Sequence, residues 1–302
     1  MRDYLGNWRA GWAGDARPGA EDMDKPALYR VRDHALGGMH SLEADRIHWQ
    51  AFTDTYPMIE TIVRQTVAFR VRAVEHLTGL GVRQFVEIGS WLPTMWPTHT
   101  LAPQARVVYA ADDLAAVLCG ERTLRSEPTA IMIHGDPSDP GTILDGEAAQ
   151  FLDLAEPCAV LLPGVLDLMD EPAAPWWVVA QIAASLAPDS WMVATHLTPP
   201  RNGEDRNAQD LLCTLWKTLG VGLYPRPADA LRDWFSAVSE LDDPICPAEW
   251  WWPDPEDMPP DSPTCPVLLG ITARVPAAGR TAVPTCHFPD SEPCHREESH
   301  HD

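Results

Sequence analysis

One stretch of the chain decides its fold: Phe85-Val86-Glu87-Ile88-Gly89-Ser90-Trp91-Leu92-Pro93-Thr94. An apolar run that ends in an acidic residue and Ile-Gly is typical of a buried first β-strand that turns into a glycine-bearing loop. In folds that bind adenosine cofactors, such a loop lets the backbone approach the ligand, because glycine has no Cβ atom. Trp91 stands where a second glycine would be expected. The stretch therefore predicts a cofactor site together with a bulky side chain that would obstruct it unless it turns away.

Short apolar segments on either side of this stretch predict an alternating α/β protein. The predicted strands are Gln84–Ile88, Arg106–Ala110, Ala130–His134, Cys158–Leu162, Trp191–His196 and a final, edge-lying Val267–Val275 that is antiparallel. The predicted helices are Leu28–Gly38, a long helix from Pro57 to Gly79 with Thr55 as its cap, and Ala228–Val238. Right-handed crossovers between such strands give a parallel, doubly wound sheet with ligands at the carboxyl ends of the strands.

The composition excludes several classes of protein. The 302 residues are 45% hydrophobic, which is typical of a globular protein, and no apolar run is long enough to span a bilayer. The formal net charge of −22 argues against a general nucleic-acid binder, because affinity for phosphate backbones needs positive surface. The first residues lack the apolar core of a signal peptide, and the seven scattered cysteines fit reduced thiols. We therefore expect a soluble cytoplasmic protein that binds neither nucleic acid nor membrane.

The two ends of the chain differ from its middle. Residues 1–24 are rich in Gly, Ala, Asp and Arg without a clear period and are predicted to be a flexible arm. Residues 276–302 form a Pro-rich polar tail that is predicted to be disordered. Cys286-His287 and Cys294-His295 in this tail, with His300 and His301, are potential zinc ligands. Because structural zinc sites normally come with a folded knuckle, we expect no metal site.

Polar residues follow five of the predicted strands at their carboxyl ends. They are Glu87 with Gly89 and Ser90, then Asp112-Asp113, then His134 and Asp136, then Asp167, and last His196. A carboxylate after the second strand can accept hydrogen bonds from both hydroxyls of a ribose, and one after the third can accept from an adenine amino group. Each residue alone is common turn chemistry, but five sets at one sheet edge favour an adenosine-cofactor site.

The order of motifs resembles one known family. The matching segments are Arg32-Asp33-His34-Ala35-Leu36-Gly37-Gly38, Ala44-Asp45-Arg46, Tyr56-Pro57, residues 81–89, Leu92-Pro93-Thr94, Ala105-Arg106-Val107-Val108-Tyr109, Asp139-Pro140, Ile143-Leu144 and Ser185-Leu186-Ala187-Pro188. Over residues 25–255 the chain resembles the actinobacterial S-adenosylmethionine-dependent methyltransferases long labelled a domain of unknown function. The resemblance implies a class I, Rossmann-like fold at residues 81–275, with a mostly parallel seven-stranded sheet. It also implies an N-terminal helical cap at residues 25–80.

The chain departs from the family pattern at four places around the expected cofactor. Where the family has Asp-Ile-Gly-Thr-Gly, this chain has Glu87-Ile88-Gly89-Ser90-Trp91, and the family's ribose-binding Asp falls on Ala111. The family's Lys-Asp-Asn after the paired glycines falls on Met39-His40-Ser41, and its histidine on the fourth strand falls on Asp167. Asp112 would then have to bind the ribose from one position later.

The resemblance implies S-adenosylmethionine as the cofactor and a small molecule as the methyl acceptor. The expected cofactor-binding residues are Gly37, Gly38, Glu87, Gly89, Ser90, Asp112, Asp113 and Asp136. His196 and Asp167 are candidates for a catalytic base. A hydrogen-bonded histidine that closes a strand is the simpler interpretation of His196, and a helix-capping or turn residue is an equal alternative for Asp167.

One other function class fits the sequence. The alternative hypothesis is a degenerate, non-catalytic homologue that acts as a binding or regulatory protein. Under it, Trp250-Trp251-Trp252 would serve an interface, although packing in the core or along a crevice wall is the simpler interpretation. The sequence predicts no oligomeric state.

Overall fold

The computed structural model describes residues 24–89, 91–200, 203–253 and 267–276. Its helices are α1 Leu28–Ala35, α2 Glu43–Thr55, α3 Met58–Gly79, α4 Thr98–Leu101, α5 Leu114–Thr123, α6 Pro140–Leu144, α7 Glu147–Phe151, α8 Pro175–Ser185, α9 Gly203–Trp216 and α10 Ala228–Ser236. Its strands are β1 Gln84–Ile88, β2 Arg106–Ala111, β3 Ala130–His134, β4 Ala159–Pro163, β5 Trp191–Leu197, β6 Glu240–Leu241, β7 Cys246–Pro247 and β8 Leu268–Arg274. The predicted arm at 1–24 lies outside these residues except for Asp24, and the predicted tail at 276–302 does so except for Pro276.

The strands form one mostly parallel sheet. Its order is β3-β2-β1-β4-β5-β8-β6, with β7 also paired to β8. Strands β1 to β5 are parallel, and β8 runs antiparallel to β5, as the sequence predicted for the last strand. The chain runs outward from β1 to β3 and then crosses to β4 on the other side. The carboxyl ends of β1 and β4 therefore flank the topological switch point, where doubly wound sheets bind ligands.

The predicted α/β Rossmann-like fold is confirmed, with small differences at its edge. The predicted strands match β1 to β5 and β8 within one residue at either end. The sheet has eight strands rather than seven, because the two-residue strands β6 and β7 both pair with β8. Elements this short have no hydrophobic period, and only their pairing with β8 defines them.

Burial on both faces of the sheet explains why its central strands read as continuous apolar runs. Every residue of β1, β4 and β5 is buried. Side chains alternate between two cores: Phe85 and Leu161 pack with α1 to α3 and α9, and Val86 and Leu162 pack with α6, α8 and α10. The long helix α3, with its apolar stripe from Ile59 to Leu77, is thereby fixed across one face of the switch point.

The N-terminal helices are joined by one buried carboxylate. Asp45, at the start of α2, is fully buried and accepts hydrogen bonds from Leu42 N at 2.7 Å and Ala27 N at 2.9 Å. It also pairs with Arg30 Nε at 2.7 Å. These bonds tie the beginning of α2 to the beginning of α1. Helix α2 was not predicted from the sequence, and the prediction of Thr55 as the cap of α3 is wrong, because Thr55 is the last residue of α2.

None of the described helices is long and apolar enough to cross a membrane.

Candidate active site at the switch point

The loop after β1 requires its first glycine. Gly89 has φ +127°, a conformation that residues with a Cβ rarely adopt. A Cβ there would also lie 2.8 Å from Cγ2 of Val165, which follows β4. The loop thus turns directly against the chain at the end of β4. Ser90, the next predicted cofactor-binding residue, lies outside the described residues.

Trp91 turns inward and spans the switch point. Its indole Nε1 donates a hydrogen bond of 2.7 Å to the carbonyl oxygen of Pro163, the last residue of β4. The ring is 9% exposed and packs with Val63 and Val67 of α3. The tryptophan therefore bridges the ends of β1 and β4 and contacts the helical cap above them. The space that a second glycine would leave open holds an indole.

Arg32 of α1 lies on the other side of this indole. Its guanidinium carbon is 4.4 Å from the centre of the Trp91 ring, and its Nη2 donates to the carbonyl oxygen of Gly164 at 2.8 Å. Burial lowers the pKa of Arg32 to about 10, and the carboxylates of Asp167 and Asp112 oppose that shift. The guanidinium is therefore within electrostatic range of the residues that follow β2 and β4. Its Nη1 has no hydrogen-bond partner among the described residues.

The paired glycines shape the loop after α1 around a buried aspartate. Asp33 accepts from Thr94 Oγ1 at 2.9 Å and from His40 N at 2.9 Å. Gly37 has φ +85°, and a Cβ on Gly38 would lie 2.3 Å from the Asp33 carboxylate. The two glycines therefore allow this carboxylate to join the cap to the loop after β1.

Glu87 is bonded within the protein. Its Oε2 lies 3.0 Å from Nη1 of Arg70 and accepts from Thr98 Oγ1 at 2.6 Å. Arg70 also donates to the carbonyl oxygens of Met95 and Trp96. The bonds of Arg70 to Glu87 and to these two carbonyls therefore hold the segment after β1 against α3. Glu87 is 4% exposed. Sequence reasoning missed Arg70, although a charge on the apolar face of α3 was a visible signal.

The aspartates after β2 and β3 have different surroundings. Asp113 caps α5, since its Oδ1 accepts from the backbone nitrogens of Ala115 and Ala116. Asp112 is exposed, yet desolvation raises the pKa of its carboxyl, and the charges of Asp113 and Asp136 raise it further.

Asp136 is also exposed, and its Oδ1 accepts from N and Oγ of Ser138 at 2.8 and 2.7 Å. The edge beyond β2 and β3 is thus acidic and open, with Asp112 and Asp136 in electrostatic contact.

The two predicted base candidates are buried close to each other. His196 is fully buried, and Asp167, in a single 3-10 turn after β4, is 4% exposed. Burial lowers the pKa of His196, and the Asp167 carboxylate opposes that shift, which places the two groups within electrostatic range. Neither Nε2 of His196 nor Oδ1 of Asp167 has a hydrogen-bond partner among the described residues.

Comparison with known proteins identifies the family. Residues 16–275 match the family model described as S-adenosyl methyltransferase. The chain belongs to the S-adenosyl methyltransferase family. A proposed methyltransferase of Thermobifida fusca YX is 28% identical, with a TM-score of 0.75 over 87% of this chain and 100% of that one. A DUF574 family protein of Streptomyces avermitilis MA-4680 is 24% identical, with a TM-score of 0.76 over 84% of this chain and 99% of that one. No curated protein matches.

Members of the S-adenosyl methyltransferase family use S-adenosylmethionine, so family membership assigns this chain as an S-adenosylmethionine-dependent methyltransferase with an unidentified acceptor. Several buried polar atoms of the described residues have no hydrogen-bond partner, which is compatible with a bound ligand. A buried polar atom without a partner costs on the order of 1–3 kcal/mol. Arg32, Asp167 and His196 each contribute one such atom, and Asp167 and His196 lie at the carboxyl ends of β4 and β5. A ligand or water that pairs with these atoms would recover that free energy.

Proposed function

We propose that this methyltransferase binds S-adenosylmethionine at the switch point and transfers its methyl group to a small molecule. The observation that supports this most directly is the buried Arg32, whose guanidinium packs on the Trp91 ring and whose Nη1 has no hydrogen-bond partner among the described residues. A fixed cation with an unused donor suits an anionic partner, and the cofactor has a carboxylate on its methionine end.

The adenosine end of the cofactor would lie over the open acidic edge. Asp112, one position after the family's usual aspartate, is exposed and can accept from the ribose hydroxyls. Asp136 has an exposed carboxylate that can accept from the adenine amino group. Gly89 allows close approach of the backbone.

The other predicted residues would act by shaping the site. Gly37 and Gly38 form the loop around Asp33, Glu87 fixes the segment after β1, and Asp113 begins α5. When bound, the cofactor supplies an electrophilic methyl group on a sulfonium, so the protein's residues need only orient the acceptor and take up a proton.

A small-molecule acceptor is favoured by charge. The formal net charge of −22 repels nucleic-acid phosphates. Helices α1 to α3 also cover the switch point, with contacts from Arg32, Asp33 and Arg70 to the loops beneath. A covered site of this kind suits a ligand that can be enclosed.

Thermal unfolding with S-adenosylhomocysteine tests cofactor binding without knowledge of the acceptor. Ligand at about 100 times its dissociation constant stabilises the folded state by about 2.7 kcal/mol. For a domain of this size we expect a rise in Tm of roughly 5–10 °C. Absence of any shift with S-adenosylhomocysteine or S-adenosylmethionine would contradict the proposal and favour the non-catalytic alternative, in which the Trp91 indole blocks the site.

The ribose contact has its own variant. Asp112→Asn removes a charge-assisted hydrogen bond and should weaken binding by about 10- to 150-fold, equivalent to roughly 1.5–3 kcal/mol. The matched control is Asp189→Asn, at the amino end of β5 on the opposite edge, where the carboxylate pairs with Arg274 in a half-exposed bridge. Equal affinities for the two variants would exclude Asp112 as the ribose ligand.

A further inference from the structure

The hydrogen bonding of His196 determines which tautomer its neutral imidazole adopts. Its Nδ1 lies 2.6 Å from the carbonyl oxygen of Leu197. Because a carbonyl oxygen can only accept, Nδ1 must bear the hydrogen, and in a neutral imidazole Nε2 then has the free lone pair. That nitrogen is buried and has no partner among the described residues. The protein therefore holds an oriented basic nitrogen at the carboxyl end of β5.

Burial favours the neutral form of His196. Burial lowers its pKa, and the Arg226 guanidinium lowers it too, while the Asp167 carboxylate and the bond to the Leu197 carbonyl act in the opposite direction. Arg226 is itself paired with Glu171 at 3.0 Å, and the Trp234 ring of α10 lies edge-on to the imidazole at 6.3 Å. A neutral imidazole with a negative charge nearby can take up a proton and is stabilised once it has done so.

We infer that His196 Nε2 accepts a proton from the methyl acceptor, and that this acceptor is a small molecule with a nucleophilic hydroxyl group, an alcohol or a phenol. The inference rests on the proposed function and names its substrate class. The hydroxyl oxygen bonds to the methyl carbon, the electron pair of the broken carbon–sulfur bond stays on sulfur as a thioether, and the hydroxyl proton passes to Nε2.

The unprotonated Nε2 of His196 suits a hydroxyl acceptor better than an amine or a carbon acid. A hydroxyl oxygen is a weak nucleophile that must lose its proton during attack, and a single positioned base meets that need. An amine attacks through the lone pair of its nitrogen and can lose its proton after the methyl transfer, so it needs no base at the moment of attack. Asp167, by its charge, stabilises the imidazolium that forms.

The first test reads the tautomer and needs no cofactor. Protein with 15N-labelled histidine should give, at pH 7, one imidazole with a protonated Nδ1 and an unprotonated Nε2. His196→Asn assigns it among the 11 histidines, because this signal alone should disappear. Asparagine can still donate to the Leu197 carbonyl, so the fold should survive. A protonated Nε2 on His196 would overturn the inference.

The second test reads the chemistry. The protein is incubated with trideuteromethyl S-adenosylmethionine and either phenol and catechol or their nitrogen counterpart, aniline. We expect labelled methyl on oxygen, none on nitrogen, and a rate at least about 100-fold lower in His196→Asn. His48→Asn, in which the exposed bond from α2 to Thr218 is lost, is the control that should retain the rate.

The rate should also depend on pH in a way that identifies the base. It should rise with pH below neutrality and level off at a lower pH than an ordinary histidine, near 6.5, would give, because the pKa of His196 is lowered. His196→Asn should lack this limb. Methylation of aniline, methylation of neither hydroxyl probe, or an unchanged rate in His196→Asn would overturn the inference when S-adenosylhomocysteine still binds. Loss of that binding would instead count against the proposed function.

Discussion

Replacement of Trp91 separates its structural contribution from its effect on the cofactor site. In the folded protein the indole is buried against Val63 and Val67, donates a 2.7 Å hydrogen bond to Pro163, and stacks on Arg32. Truncation of a buried aromatic side chain to alanine typically costs about 3–5 kcal/mol. The hydrogen bond accounts for roughly 0.5–1.5 kcal/mol of this cost, and the phenyl ring of a Trp91→Phe variant can keep most of the remainder.

We therefore expect Trp91→Ala to lower Tm by roughly 6–20 °C, at about 2–4 °C per kcal/mol, and Trp91→Phe to lower it far less. Urea unfolding followed by circular dichroism measures both losses, provided that the slope with denaturant stays constant. S-adenosylhomocysteine should raise the Tm of Trp91→Ala or Trp91→Gly by more than it raises the Tm of the unmodified protein, because removal of the indole opens space between the ends of β1 and β4.

Three results would each refute a part of this reasoning. A loss below about 1 kcal/mol in Trp91→Ala would mean that the indole is not packed at the switch point, since such losses are typical of exposed positions. A loss in Trp91→Phe as large as that in Trp91→Ala would mean that the Pro163 bond, and not packing, provides the stability. An unchanged ligand effect in a folded Trp91→Gly protein would show that the indole does not compete with the cofactor.

Two further predictions concern the supports of the site. Glu87→Gln leaves its buried arginine partner without a counter-charge and should destabilise the protein by about 3–5 kcal/mol in urea unfolding. The control is Glu171→Gln, on a 74% exposed side chain in an equally short pair, which should cost less than about 1 kcal/mol. Equal losses in the two variants would contradict the structural role of Glu87. Gly38→Ala introduces a Cβ 2.3 Å from a buried carboxylate and should lower Tm by several degrees. The control is Gly79→Ala, which has open space around it in a helix and should be neutral or stabilise the protein by about 0.5–1 kcal/mol. An unchanged Tm in Gly38→Ala would show that the loop can shift at no cost.

The fold was predictable because its signals are local. Strands buried on both faces appear as short apolar runs, and β1 and β3 were predicted with their observed bounds. Helix α2 was missed because few of its residues are buried, so it has no strong apolar stripe. It is held instead by Asp45, whose partners lie in a different segment of the chain. Contacts of this kind have no period that a sequence window could detect.

The site was less predictable because a carboxylate at the end of a strand can either accept hydrogen bonds within the protein or stay exposed. Sequence reasoning placed Asp112, Asp113 and Asp136 in one cofactor-binding set, yet Asp113 accepts from two backbone nitrogens of α5 while Asp112 stays exposed. Glu87, within the stretch that decides the fold, bonds to Arg70 from a helix that precedes it. Which carboxylate is used internally depends on donors that only the folded chain brings near, so position after a strand was not enough to assign a role.

Arg32 and Asp33 show why the cap and the site form one unit. They are consecutive on α1, and each bonds to a different loop: Arg32 to the carbonyl after β4, and Asp33 to Thr94 after β1. The helix that covers the switch point is thus fixed to both of its sides by adjacent residues. Trp91 lies between these attachments, so movement of its indole would alter the contacts of the same guanidinium that we propose binds the cofactor. Cofactor affinity and the position of the cap should therefore change together in Trp91 variants, and cap mobility measured by hydrogen exchange in α1 should rise when the indole is removed.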